Sequence, residues 1–157
     1  MIFLISFPIA KMTNQEISLA FQKLAFFLTL KNESEFKINA YRKVARCIQK
    51  FPLSVEELLL AGLDLTQIPG IGKIIAKKIE DLIIIGEIKP LTELLREFPE
   101  SLFEISQVNG IGPRTILKIF QIHHIRSLAE LGDYLQKGNR LAIAPSFEKK
   151  IRKYFLL

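Results

Sequence analysis

The chain has 157 residues, 49% of them apolar, with 22 Lys and Arg against 16 Asp and Glu, a net charge of +6 and a pI near 9.5. That length supports one or two small cores, while no run approaches the roughly 18 apolar residues of a helical membrane span, so a soluble globular protein without a membrane partner is expected. A single cysteine, Cys47, excludes an internal disulfide and a thiolate metal cluster. The basic balance favours polyanionic partners, although charge alone serves solubility equally well.

In chain order, residues 1–10 are apolar but lack a basic start and are interrupted by Pro8, which makes a poor signal peptide. Met12 stands immediately before a helix-start signal, so residues 1–12 are expected to be unstructured or a spurious extension of the reading frame. Thr13-Asn14-Gln15-Glu16 has the form of a capping box, and Ile17, Phe21, Leu24 and Leu28 follow at helical spacing, which predicts a helix over 14–30. Phe36, Ala40, Val44 and Cys47 carry a second helix to about Lys50, ahead of Pro52. Ser54 caps a short helix that stops at Gly62, and a further helix is predicted from about Lys73 to Ile85, ending at Gly86. Short helices follow from Pro90 and over 101–106, then one over 113–122, one capped by Ser127 and ending by Gly138, and a basic helical tail from Ser146. No segment sustains two-residue alternation, so the expected class is all-α, divided near 87–90 into helical domains over 13–88 and 89–157.

One pattern occurs twice, forty residues apart: Ile68-Pro69-Gly70-Ile71-Gly72-Lys73 and Val108-Asn109-Gly110-Ile111-Gly112-Pro113, each opening a basic amphipathic helix. The glycines permit a tight turn with φ > 0 and remove side chains that would block an approaching backbone. The first amides of the following helix lack internal partners and lie at the positive end of its dipole, where a phosphate oxygen can fill the gap. A lone Gly-x-Gly is more often an ordinary loop before a helix. Two copies point to a sequence-independent DNA grip, with phosphate contacts expected at Gly70, Ile71, Gly72, Lys73 and Lys77, and at Gly110, Ile111, Gly112, Arg114 and Thr115. The adjacent pair His123-His124 points about 100° apart on a helix and reads as a helix end rather than a metal site. The basic, aromatic-bearing stretch Glu148 to Tyr154 reads either as DNA contact or as a solvated face.

These residues resemble the N-terminal region of family X DNA polymerases, the polymerase beta group and its bacterial relatives. The likeness is carried by Asn39-Ala40-Tyr41-Arg42-Lys43, Pro52, both glycine turns and Ala76-Lys77-Lys78-Ile79, and spans about residues 13–151. It implies a lyase-type domain followed by a fingers subdomain, acting on gapped, nicked or 5′-phosphate DNA in base excision repair, in the bacterial cytoplasm at the nucleoid. It further implies that Lys78 is a Schiff-base nucleophile for a 5′-deoxyribose phosphate. The stripe of Ile75, Ile79 and Leu82 sets Lys78 at the core border, where partial desolvation favours a free amine and where a lysine stem can equally cover the core. Lys37 and Tyr41 match 5′-phosphate ligands, Tyr41 reading equally as a packing aromatic, whereas Ile74, Phe36 and Pro90 replace polar or basic residues. The resemblance also places a Na+ or K+ ion on the carbonyls of Thr66, Ile68 and Ile71, and of Ser106, Val108 and Ile111, with no cofactor otherwise required. Asp64, Asp81 and Asp133 lack the Asp-x-Asp spacing of a two-metal palm, so polymerisation by that mechanism is not expected without a separate palm. A DNA-binding protein, a lyase and a piece of a split polymerase therefore all remain open.

Overall fold

The computed structural model describes residues 11–157; the expectation for the N-terminal extension lies outside the described residues except at Lys11 and Met12. The protein is all-α, with nine α-helices and one 3-10 turn among the described residues. These are α1 (Asn14–Leu30), α2 (Glu35–Lys50), α3 (Val55–Leu60), the turn Leu65–Gln67, α4 (Lys73–Ile84), α5 (Lys89–Leu94), α6 (Leu102–Ile105), α7 (Pro113–His123), α8 (Leu128–Gln136) and α9 (Pro145–Tyr154). No described helix is long and apolar enough to cross a membrane.

The caps behave as the local sequence demands. At α1 the box is reciprocal: the Glu16 carboxylate accepts from the Thr13 N–H at 2.7 Å, and the Glu16 N–H donates to the Thr13 hydroxyl at 3.2 Å. Ser54 and Ser127 accept from the third residue of α3 and α8 at 3.2 Å. The return halves are diverted, Glu57 to the Lys11 ammonium at 2.8 Å and Glu130 to the Arg126 N–H at 2.7 Å. The 3-10 turn, which carries no periodic signal, is held by Asp64, whose carboxylate accepts the Thr66 N–H and hydroxyl at 2.9 and 2.7 Å.

The chain divides into two compact units whose boundary runs through the middle of α1 and α2. One comprises residues 11–22 and Tyr41–Ile88, the other Lys23–Ala40 and Lys89–Leu157. In the first, Ile17, Phe21, Val44, Ile48, Val55, Leu65, Ile79 and Leu82 are buried. The buried Ser18 hydroxyl donates to the Ala45 carbonyl at 2.8 Å, tying α1 to α2. Asn14 closes the loop after α2 by donating to the Phe51 and Leu53 carbonyls and accepting from the Val55 N–H.

In the second unit, Phe26 meets Phe103 edge to face at 5.4 Å, and Phe27 stacks on Phe98 at 6.2 Å. Lys31 pairs with Glu97 and Lys23 with Glu100. Helix α6 packs on α7 and α8 through the buried residues Leu102, Ile105, Ile116, Ile119, Leu131 and Leu135. At Gly132 on α8, an added Cβ would lie 2.9 Å from the Phe155 ring, so the missing side chain permits the end of α9 to seat there. His123 ends α7 as a strut. Its Nε2 accepts the Ala142 N–H at 2.8 Å, which requires the other nitrogen, 3.0 Å from the Tyr134 hydroxyl, to carry the proton.

Candidate nucleic-acid interface

The first glycine turn has the geometry that its spacing predicts. Gly70 adopts φ +89°, the left-handed region that favours glycine, while Gly72 is extended at φ −87°, ψ 174° and caps α4 without a side-chain hydrogen bond. The Ile71 N–H donates to the Ile68 carbonyl at 3.0 Å, closing the turn, and both isoleucines are buried. Ile71 is the plug that fixes the turn, and burying such a side chain is worth about 1.5–3 kcal/mol. The first internal bond of α4 runs from the Ala76 N–H to the Gly72 carbonyl at 2.9 Å. The amides of Lys73, Ile74 and Ile75 thus have no partner within the helix and lie at its positive end. A Cβ on Gly72 would meet nothing within 4 Å, so the space beside this capping glycine is open.

The second turn repeats this backbone, with Gly110 at φ +80°, Gly112 at φ −87°, ψ 166°, and the Ile111 N–H donating to the Val108 carbonyl at 3.2 Å. Val108 and Ile111 are buried, and Gly112 also faces open space. The two turns differ in the donors that they offer. Pro113 has no N–H, and the Thr115 and Ile116 amides both donate to the Gly112 carbonyl, at 3.0 and 3.1 Å. Of the first three helical amides of α7, only that of Arg114 remains open. The second turn relies more on side chains.

The other expected contacts fall as follows. Lys73 is exposed at the start of α4, and Lys77, one turn on, is exposed and bonded to Asp81 at 2.8 Å; that hydrogen bond and the Asp81 charge raise its pKa. Lys78 is half-buried, and its ammonium has no ion-pair partner among the described residues. Ile74, on the same face of α4 as Lys78, is 72% exposed, so the position is open to solvent but apolar. Tyr41 is buried with its ring 6.1 Å from Phe21, a packing role in the first unit. Lys37, which belongs to the second unit, is exposed and paired with Glu33 at 3.0 Å. Arg114 is exposed, with Glu35 at 4.0 Å, while Thr115 is half-buried and joins Lys118 and Phe147 in lining a cleft of about 240 Å³ between α7 and the start of α9.

Two residues that support the turns carry no signal in the sequence pattern. The Cys47 thiol donates to the Pro69 carbonyl at 3.1 Å, and its sulfur lies 3.8 Å from the position of a Cβ on Gly70, so α2 backs the first turn. The Lys150 ammonium stands over the second turn, 2.8 Å from where a Gly110 Cβ would be. Both arise from tertiary packing between segments distant in sequence.

Comparison with known proteins bears on what these turns do. Residues 12–88 match the family described as "Helix-hairpin-helix domain". The chain is 27% identical over 143 residues to "DNA polymerase/3'-5' exonuclease PolX" of Bacillus subtilis (strain 168), a match over 89% of this chain and 24% of that protein. It is 30% identical over 121 residues to "DNA polymerase lambda" of Arabidopsis thaliana, over 75% of this chain and 21% of that protein. The chain therefore spans about a quarter of the length of these curated relatives.

The geometry separates folding from binding within a single turn. Gly70→Ala forces a side chain into φ > 0 and is expected to lower stability by about 1–2 kcal/mol. Gly72→Ala, at an ordinary φ and in open space, is expected to cost at most about 1 kcal/mol of capping; if a phosphate caps the α4 amides, the added methyl group would crowd it and reduce DNA affinity. Thermal denaturation and fluorescence anisotropy on the two variants check this; equal affinity of Gly72→Ala and wild type would contradict it.

Proposed function

We propose that this chain, a relative of the N-terminal region of the family X DNA polymerases that carries a helix-hairpin-helix domain, grips the DNA backbone at gaps, nicks or 5′-phosphate ends without reading sequence. The observation that carries the reading is the pair of matched glycine turns, with three open helix amides at the first, one at the second, and basic side chains beside both. Phosphate contacts position a protein on DNA and carry no base information, which agrees with turns that present backbone and cations only. If four phosphates are neutralised, log K should fall with log salt at a slope of about −3.6. Affinity measured across a salt series checks this, and a flat profile would sink the reading.

The resemblance would also place a monovalent cation at the same turns. Its expected ligands, the carbonyls of Thr66, Ile68 and Ile71 and of Ser106, Val108 and Ile111, are neutral oxygens, which suit Na+ or K+ better than a divalent ion. Ile68 and Val108 each accept one amide, which leaves a second lone pair on each oxygen. Such an ion would supply positive charge between turn and phosphate.

A second reading, abasic-site lyase chemistry, is favoured by the placement of Lys78. Of the three lysines on α4, Lys73 is exposed at the helix start and Lys77 is bonded to Asp81, whereas Lys78 is half-buried and unpaired among the described residues. Its neutral amine would attack C1′ of the ring-opened sugar, and loss of water would give an imine. Removal of a C2′ proton then expels the 3′-phosphate oxygen by β-elimination, and hydrolysis of the imine returns the lysine. Nucleotidyl transfer would fall to a separate palm that supplies paired carboxylates. Borohydride should trap a covalent adduct on gapped DNA bearing a 5′-deoxyribose phosphate, and Lys78→Ala should abolish it while retaining binding to intact DNA. Absence of an adduct with normal binding would contradict the lyase reading alone.

A further inference from the structure

The second turn, poor in open amides, is flanked by α9, whose position is fixed internally. The buried Glu148 carboxylate accepts the Leu141 N–H at 3.1 Å and the Arg152 Nε–H at 2.9 Å, and the Arg152 guanidinium also donates to the Asn139 carbonyl at 2.8 Å. Burial pushes the Glu148 carboxyl up, but the Arg152 and Leu141 hydrogen bonds, with the charges of Arg152 and Arg140, hold it below its ordinary value. The buried Ile151 completes this anchored face.

On another face of α9, Lys150, Lys153 and Tyr154 project at i, i+3 and i+4 and are exposed. With Gln107, Val108 and Asn109 of the second turn they line a groove of about 410 Å³. The Lys150 ammonium lies 5.5 Å from the Phe147 ring, a cation–π contact, and neither Lys150 nor Lys153 has an ion-pair partner among the described residues. The two ammonium stems leave the helix about 5 Å apart along its axis.

We propose that this groove holds an unpaired DNA strand where it leaves the duplex gripped by the second turn. Lys150 and Lys153 take two successive phosphates, and the Tyr154 ring stacks on a base. A duplex keeps its bases turned inward and offers nothing for an exposed aromatic beside two lysines to stack on, whereas an unpaired strand presents both charge and π-face, the combination on which single-strand sites are built. Gln107 and Asn109 contribute neutral donors on the opposite wall. An acidic peptide would satisfy the lysines but not the ring. The inference rests on the DNA-binding reading and adds to it the form of DNA preferred.

The test compares anisotropy titrations of the full chain on a blunt duplex, on the same duplex with an overhang of about ten nucleotides, within the usual single-strand site size, and on a glutamate peptide. Wild type should prefer the overhang by more than about tenfold, the effect of one stacked base added to that of two phosphate contacts. Tyr154→Ala should cut that preference by about tenfold and leave blunt-duplex affinity unchanged, while Tyr154→Phe retains it. The Lys150→Gln, Lys153→Gln pair should lower the salt slope on the overhang substrate by about 1.4, two single-strand phosphates. Equal affinity for blunt and overhang DNA, a preference unchanged by Tyr154→Ala, or peptide binding as tight as the overhang would overturn the inference while leaving the duplex grip intact. Failure to bind any DNA would overturn both.

Discussion

The amides at the start of an α-helix have no acceptor inside that helix, and in most proteins a side chain or water supplies one. At the two starts that matter here, the capping position is occupied by glycine, Gly72 or Gly112, which supplies no side-chain acceptor. The preceding left-handed glycine folds the chain back, and the helix that follows begins with three open amides at α4 and one at α7. A group with negatively charged oxygens fits that gap electrostatically, and a side chain at the capping glycine would obstruct it. The functional reading depends on this one deficit in hydrogen bonding.

The rest of each unit keeps the turn in place. Ile71 and Ile111 are buried, and each bonds its amide back to the residue three before it. Beneath the first turn, Cys47 holds the Pro69 carbonyl. Beside the second, the Glu148–Arg152 pair fixes α9, which carries Lys150 over the turn. The two turns share a backbone and differ in donors: the first presents more main chain, the second more side chain.

Much of this was legible in the residues. Thr13, Ser54 and Ser127 each announced a helix that the structure contains, and the glycine turns were readable because a positive φ followed by an extended glycine leaves its mark on sequence. The all-α class followed from helical periodicity, whereas the resemblance to family X polymerases was carried by Asn39 to Lys43, Pro52, both glycine turns and Ala76 to Ile79. The 3-10 turn Leu65–Gln67 escaped because three residues are too few to show a period. Helix α5 begins at Lys89, one residue before the expected Pro90, since proline is tolerated throughout the first turn. The approach of Lys150 to Gly110 and of Cys47 to Pro69 joins positions far apart in the chain, and no local pattern encodes it.

The most direct measurement is a titration of the isotope-labelled protein with a short duplex, followed by the chemical shifts of backbone amides. The account predicts the largest changes at Gly72, Lys73, Ile74 and Ile75 and at Gly112 and Arg114, with small changes at the buried plugs Ile71 and Ile111. Saturable binding that leaves those helix-start amides unmoved would show that DNA is held by side-chain charge elsewhere and would contradict the account at its centre.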